Sequence, residues 1–329
     1  MVMFNKLLER QIKRYLKNTE IGSQEFQDLF LAISQAYDHH EEDRQLVERS
    51  LELSSAELNE TNRSLQEANK LIELKNKDLI SSLQYAKLVQ DSLLARESSI
   101  REVFPDSFIF NKPKDIVSGD FFWIYNTAKE TYLATVDCTG HGVPGAFMSV
   151  ISYRFLNQAV RDHGIQKPSE ILQYLNTEIK LTLSTKADEP EAKNALDISL
   201  IRMDRRKKML EFSGVGQKMI ISTSGEQNEI KGDNYHIGQN LDTSVTPIST
   251  RFLEMQSDSV LYMFSDGYAD QFGGPSEKRF GSDRFKKLIS SLDELNFSEK
   301  RKRVESTFME WKNGYEQVDD TLLIGVKVP

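Results

Sequence analysis

From residue 41 to residue 95 the chain contains neither proline nor glycine, and Leu51, Leu58, Leu65, Ile72, Leu79, Ala86 and Leu93 recur at a strict seven-residue interval. No other feature of the sequence narrows the choice of fold so far. An α-helix turns every ~3.6 residues, so a seven-residue repeat of this length stays on one face only if the helix supercoils, left-handed, around another. If the repeating row is heptad position d, the a positions include Asn62, Asn69 and Asn76. A buried Asn at a costs stability and specifies a parallel, two-stranded register. The residues therefore predict a parallel coiled coil and a homodimer, rather than a solvated single helix or a disordered linker.

Residues 1–40 also read as helical. Phe4, Leu7, Leu8, Ile12, Tyr15 and Leu16 fall at helix spacing, as do Phe26, Leu29, Phe30 and Ile33. Ile21-Gly22-Ser23 reads as a break, with Ser23 as the N-cap of the second helix. Lys6, Arg10, Lys13, Arg14 and Lys17 make the first helix basic and amphipathic. Such a stripe can lie on a membrane surface, but its expected neighbour is another helix.

Beyond Pro105 the pattern changes. β-Branched and aromatic runs near 107–111, 119–125, 131–137, 196–203, 208–213, 217–222, 259–265 and 321–328 predict strands, and apolar-periodic runs near 145–162, 169–185, 283–292 and 298–312 predict helices. Strands joined by short turns, with helices in pairs, imply an α+β layered domain with antiparallel sheets. The expected division is a helical regulatory segment at 1–40, a coiled-coil linker at 41–97 and a catalytic domain at 98–329. Ser213-Gly214-Val215-Gly216 lacks the remainder of a dinucleotide fingerprint, and Gly140-His141-Gly142-Val143-Pro144-Gly145 lacks the Lys-Ser/Thr of a phosphate-binding P-loop.

Carboxylates stand at four of the predicted strand ends. Asp120 lies in Val117-Ser118-Gly119-Asp120-Phe121-Phe122-Trp123. Asp137 opens Asp137-Cys138-Thr139-Gly140-His141-Gly142-Val143-Pro144-Gly145-Ala146-Phe147-Met148-Ser149. Asp266 follows Phe264-Ser265 and precedes Gly267, and Asp319-Asp320 precedes Thr321-Leu322-Leu323. One such residue is an ordinary turn cap; four together offer hard oxygen ligands suited to magnesium or manganese, whereas zinc favours the His and Cys that are scarce here.

These four motifs, in this order and spacing, resemble the metal-dependent (PPM) serine/threonine phosphatases, and among them the bacterial sporulation and stress-response (SpoIIE-like) branch. The resemblance spans roughly 95–329. It implies a β-sandwich flanked by paired helices, here preceded by an all-α coiled-coil extension. It implies two Mn²⁺ or Mg²⁺ ions, with Asp120 and Asp137 near both, the backbone carbonyl of Cys138 as a further ligand, and Asp266 and Asp319 on one of them; Asp320 is the alternative to Asp319. His141 is a candidate proton donor to the leaving oxygen, or a structural residue of its turn. No counterpart of the phosphate-binding arginine of eukaryotic relatives is evident, and Lys112 and Lys114 are its candidate substitutes. Asp197 and Asp270 are candidates for a third ion or for turn residues.

Composition sets the outer bounds. A net charge of −8 with 28% charged residues gives no basic face for nucleic acid. The single cysteine, Cys138, excludes an internal disulfide. No apolar run reaches the ~18 residues that span a bilayer, so the expected location is the cytoplasm. The expected activity is hydrolysis of phosphoserine or phosphothreonine on a signalling protein such as an anti-sigma-factor antagonist. The alternative is a catalytically silent phosphoprotein-binding or coiled-coil scaffold module.

Overall fold

The computed structural model describes residues 4–16, 24–183, 195–204, 209–239, 247–256, 258–275 and 277–328. The expected break at Ile21-Gly22-Ser23 lies outside them. The helices are α1 (Lys6–Tyr15), α2 (Gln24–Leu93), α3 (Glu97–Val103), α4 (Gly142–Asn157), α5 (Pro168–Leu183), α6 (Gly267–Asp270), α7 (Ser282–Ser290) and α8 (Phe297–Lys312). The strands are β1 (Ser107–Lys112), β2 (Phe121–Asn126), β3 (Glu130–Cys138), β4 (Leu196–Asp204), β5 (Met209–Val215), β6 (Lys218–Thr223), β7 (Glu226–Lys231), β8 (Arg251–Glu254), β9 (Val260–Phe264), β10 (Phe272–Gly273), β11 (Lys278–Arg279) and β12 (Thr321–Lys327). A π-helical turn, Gln158–Asp162, extends α4. The chain divides into two compact units, Met1–Leu79 and Ile80–Pro329.

In the first unit, α1 pairs with the start of α2. Asn5 caps α1 by accepting from the backbone N–H of Leu7, and its own backbone N–H donates to Ser34 Oγ at 2.6 Å. Leu8 and Phe30 are buried, and the Phe4 and Phe30 rings meet edge-on at 6.2 Å. A neighbouring helix therefore takes part of the apolar stripe of α1. Further along α2 the heptad residues are exposed among the described residues: Leu51, Leu58, Leu65, Ile72 and Leu79 are 56–64% exposed.

The second unit is a sandwich of two five-stranded antiparallel sheets, ordered β1-β12-β9-β6-β7 and β2-β3-β4-β5-β8. Alternation along each strand sorts its side chains into layers. In β2, Phe121 and Trp123 face the α4/α5 layer with Met148, Leu156, Ile171 and Leu175, whereas Phe122 faces the other sheet. Between the sheets Leu133, Ile201, Phe212, Met263 and Ile324 interlock. On the far side Phe108, Phe110, Tyr262 and Phe264 pack under α7 and α8. Three apolar layers, each almost dry, make this unit's core. This is the α+β sandwich with paired flanking helices that the sequence predicts.

Besides the short α6 and the π-helical turn, these elements were not predicted. The polar edge strand β7 has one buried side chain, Ile230, and β8 has none. The β10–β11 pair is a two-residue hairpin ladder, and α3 occupies residues read as a boundary.

Candidate active site

Strand pairing brings the four acidic motifs to one end of the sandwich. In the second sheet Phe121 pairs with Val136, so Asp120, one residue before β2, lies beside Asp137 in β3. In the first sheet Leu323 pairs with Phe264, so Asp319 and Asp320, just before β12, lie beside Asp266, just after β9. Hydrogen bonds then join the two sheets. Ser265 Oγ donates to Asp120 Oδ2 at 2.5 Å and accepts from the backbone N–H of Leu322 at 2.9 Å.

The two members of the Asp319-Asp320 pair do different work. Asp320 is buried and uses both carboxylate oxygens on backbone: Oδ1 accepts from the N–H of Lys114 and Oδ2 from that of Gly119, each at 2.7 Å. It ties the loop before β2 to the loop before β12. Asp319 is exposed, and its Oδ1 accepts from the backbone N–H of Asp320 at 2.8 Å. Asp320 thus spends both carboxylate oxygens on backbone, whereas the bond from Asp320 engages only Oδ1 of Asp319.

The motif glycines are there because loops touch. A Cβ on Gly145 would stand 2.2 Å from the carbonyl oxygen of Gly140 and 3.0 Å from the Cα of Gly119. A Cβ on Gly267 would stand 1.9 Å from the carbonyl oxygen of Asp320. Neither position has room for a side chain, which fixes how closely the Asp137 loop approaches the Asp120 loop and how closely Asp266 approaches Asp320.

The electrostatics are those of like charges packed together. Burial, first, and then the charges of Asp320, Asp319 and Asp266 push the Asp120 carboxyl well above the usual range, against the lowering hydrogen bond from Ser265. Burial and the charges of Asp120, Asp266, Asp197 and Asp319 do the same to Asp137. Asp266 is pushed up to about 6 by burial and by Asp270, Asp319 and Asp197. Although Asp319 is exposed as a residue, partial desolvation of its carboxyl and then the charge of Asp320 raise it, against the backbone N–H of Asp320, Lys114 and His141. Burial beside Asp137 and Asp120 raises the Cys138 thiol, so that side chain stays neutral and only its carbonyl is a candidate ligand. Among the described residues no three His, Cys, Asp or Glu side chains close into a ready-made metal cage.

His141 heads α4, and its Nδ1 lies 2.6 Å from Asp115 Oδ2. A carboxylate there favours the proton on Nδ1 and leaves Nε2 as the free nitrogen. Asp115 is an unpredicted member of the site; it sits in a lysine- and proline-containing turn with no strand-end signature. The two candidates for a third ion are both engaged: Asp197 Oδ1 lies 2.5 Å from His236 Nδ1, and Asp270 pairs with Arg279 at 3.2 Å. The charge of Lys114 lowers the Asp319 carboxyl, and the Lys114 backbone N–H is held by Asp320.

Gln90, near the end of α2, is a second residue the sequence did not single out. It is 3% exposed. Its Nε2 donates to the carbonyl of Ser118 at 2.7 Å and to Ser149 Oγ at 2.9 Å, and its Oε1 accepts from the N–H of Ser118 at 3.3 Å. Ser118 Oγ in turn bonds the backbone of Asp120. A glutamine on the long helix thus holds the loop that carries Asp120.

Residues 127–329 match the family model described as Stage II sporulation protein E (SpoIIE). The chain belongs to the SpoIIE family. Among solved structures the SpoIIE-type fold recurs in the PP2C domain of SiaA from Pseudomonas aeruginosa, with 27% identity over 77% of this chain and 98% of that one, at a TM-score of 0.70. The PP2C phosphatase domain of SpoIIE from Bacillus subtilis, with a fragment of its regulatory domain, matches at 18% identity, 68% and 63% coverage and a TM-score of 0.55. The RsbU and RsbW domains of a Mycobacterium tuberculosis protein match at 16% identity, 69% and 62% coverage and a TM-score of 0.52. The last two share the fold. Comparison with curated proteins gives no match. As a SpoIIE-family member of the PPM type, the chain is a phosphoprotein phosphatase. No described helix is long and apolar enough to cross a membrane.

Proposed function

We propose that this phosphatase removes phosphate from phosphoserine or phosphothreonine on a cytoplasmic signalling protein, such as an anti-sigma-factor antagonist, and that it does so with two Mg²⁺ or Mn²⁺ ions. Asp120, Asp137, the backbone carbonyl of Cys138, Asp266 and Asp319 would hold them. The observation that carries the reading is the convergence of carboxylates, Asp120 buried and Asp137 partly so, whose charges oppose one another. Such a cluster is expensive unless its protons or a cation neutralise it. All-oxygen donors fit hard divalent ions, and magnesium held through one or two carboxylates and several waters needs no closed protein cage. When bound, a pair of such ions offsets charge on the phosphoryl oxygens and makes a nucleophilic water available at neutral pH.

The chain's own residues supply position and protons. Asp320 and Ser265 keep the two halves of the cluster in register through their bonds to Gly119, Lys114 and Asp120. His141, held at Nδ1 by Asp115, keeps Nε2 for the substrate side, where a protonated imidazole would donate to the departing serine or threonine oxygen. Lys114, whose charge acts on Asp319, or Lys112 would be the cation that meets a phosphoryl group. The coiled coil would pair two such chains in parallel, with 1–40 receiving a signal and 41–97 linking it to the catalytic domain; the last turns of that linker, from Ile80, belong to the catalytic unit.

Turnover of p-nitrophenyl phosphate with and without Mn²⁺ tests the reading. EDTA should abolish it and Mn²⁺ restore it. Asp137→Asn and Asp319→Asn should each lower kcat by a factor on the order of a hundred or more while the far-UV spectrum stays unchanged. Metal-independent turnover, or wild-type rates in both variants, would leave the site assignment without support.

A further inference from the structure

A groove of about 360 Å³ opens beside Asp266, across the ends of three neighbouring strands. Its walls are Gly216, Gln217 and Lys218 at the start of β6, Lys231 to Asn234 at the end of β7, and Phe264 to Asp266 at the end of β9. Lys218 stands directly opposite Lys231 in the β6–β7 register, so the two side chains leave the sheet on the same face. Like charges so placed oppose folding, and only part of that opposition is relieved. Glu229 lies 3.1 Å from Lys218, 3.9 Å from Lys231 and 3.0 Å from Lys286, so one carboxylate serves three ammonium groups. The other acid on the wall apart from Asp266 is Asp233, whose oxygens accept from the N–H and Oγ of Ser249, each at 2.8 Å. A net-acidic chain with an acidic reaction centre thus carries a cationic strip at the edge of that centre.

The carboxylate cluster repels any acidic segment that approaches it, and the strip would offset that repulsion on one side. Resting on the phosphatase reading, we propose that this groove docks an acidic stretch of the phosphoprotein next to its phosphorylated residue, with Lys218 and Lys231 as specificity determinants. The reach is consistent. β9, β6 and β7 are successive neighbours in the sheet, so the groove spans two strand spacings, about 10 Å. An extended peptide covers that in about three residues. The acidic positions recognised therefore lie within roughly three residues of the phosphorylated one.

The test uses the full chain in Mn²⁺ and three peptides with one phosphoserine core, flanked by glutamates, glutamines or lysines. A parallel set carries a non-hydrolysable phosphonate for binding by fluorescence anisotropy. Wild type should bind the glutamate-flanked phosphonate about tenfold more tightly than the glutamine-flanked one, and the gap should shrink in high salt. The same ratio should appear in KM for the phosphopeptides, with kcat little changed. Lys218→Gln/Lys231→Gln should erase the preference, and Lys218→Glu/Lys231→Glu should turn it toward lysine flanks. Equal binding of glutamate and glutamine flanks by wild type, or a preference that survives both double variants, overturns the proposal. The binding arm decides this with or without turnover; failure to hydrolyse any peptide in Mn²⁺ would count instead against the phosphatase reading.

Discussion

Residues 24–79 of α2 and the sandwich from Ile80 onward treat their apolar side chains in opposite ways. In the sandwich Trp123, Leu133, Ile201 and Ile324 are wholly buried by other parts of the same chain. Along residues 24–79 of α2 the row leucines Leu51, Leu58, Leu65 and Leu79 stay more than half exposed. The sandwich satisfies itself; among the described residues the helix row does not. Exposed leucines in a strict heptad row are costly to leave in water, at about 25 cal/mol for each Å² of apolar surface, and the partner expected from the row and its asparagines is a second copy in parallel register.

That contrast can be broken most forcefully by removing apolar groups on each side of it. Replacing Leu58, Leu65 and Ile72 together with Ala should convert a dimer into a monomer by light scattering and leave the thermal transition of the sandwich where it was. Trp123→Ala should do the reverse, costing about 3–5 kcal/mol in urea denaturation without changing the oligomeric state below the transition. A monomeric wild-type chain would remove the basis for the contrast.

Gln90 sharpens it, because there α2 packs on the loop of Asp120. Counting from Asn62, Asn69 and Asn76, Gln90 falls on the same a row, yet it is buried against the loop of Asp120. Gln90→Ala leaves the backbone N–H and carbonyl of Ser118 without this partner. The expected loss is about 1–3 kcal/mol of stability, together with weaker Mn²⁺ binding by calorimetry. Unchanged metal affinity in a folded Gln90→Ala protein would mean that the glutamine only packs.

The smallest effect concerns pH. Asp266 is pushed up to about 6 in the folded chain, against about 3.9 for a free Asp. A folded state that holds its proton more tightly than the unfolded chain is favoured at low pH, and this contribution is lost as pH rises through about 6. Metal-free protein should therefore lose some stability between about pH 4 and 6, whereas Mn²⁺ affinity, which needs the ionised carboxylate, should rise over the same window. Parallel melting curves with and without Mn²⁺ at pH 5 and pH 7 read both slopes.

Periodicity carried most of the fold. The seven-residue row marked α2 to its last residue, and runs rich in Val, Ile, Phe and Tyr marked β1 to β6, β9 and β12, because buried strands and amphipathic helices need those residues at those intervals. It failed where burial is slight: Glu226-Gln227-Asn228-Glu229-Ile230-Lys231 is a strand because β6 offers it hydrogen bonds, and its side chains say little about that. The acidic strand ends were legible because a carboxylate at a strand–turn junction is visible in sequence. Asp115 and Gln90 were not, because each is defined by a contact 26 or 28 residues away, with a partner that local pattern cannot name.

The unequal division of labour between Asp319 and Asp320 bears on how loss-of-function screens of this chain would be interpreted. The two residues are adjacent and chemically identical, so a scan that replaces each with alanine would score both as essential and invite the inference that both hold the same ion. Asp320, with both oxygens on the N–H groups of Lys114 and Gly119, would fail by letting two loops drift apart. A substrate-trapping variant, which must hold phosphoprotein without turning it over, therefore belongs at Asp319, where the frame stays closed, and not one residue further along.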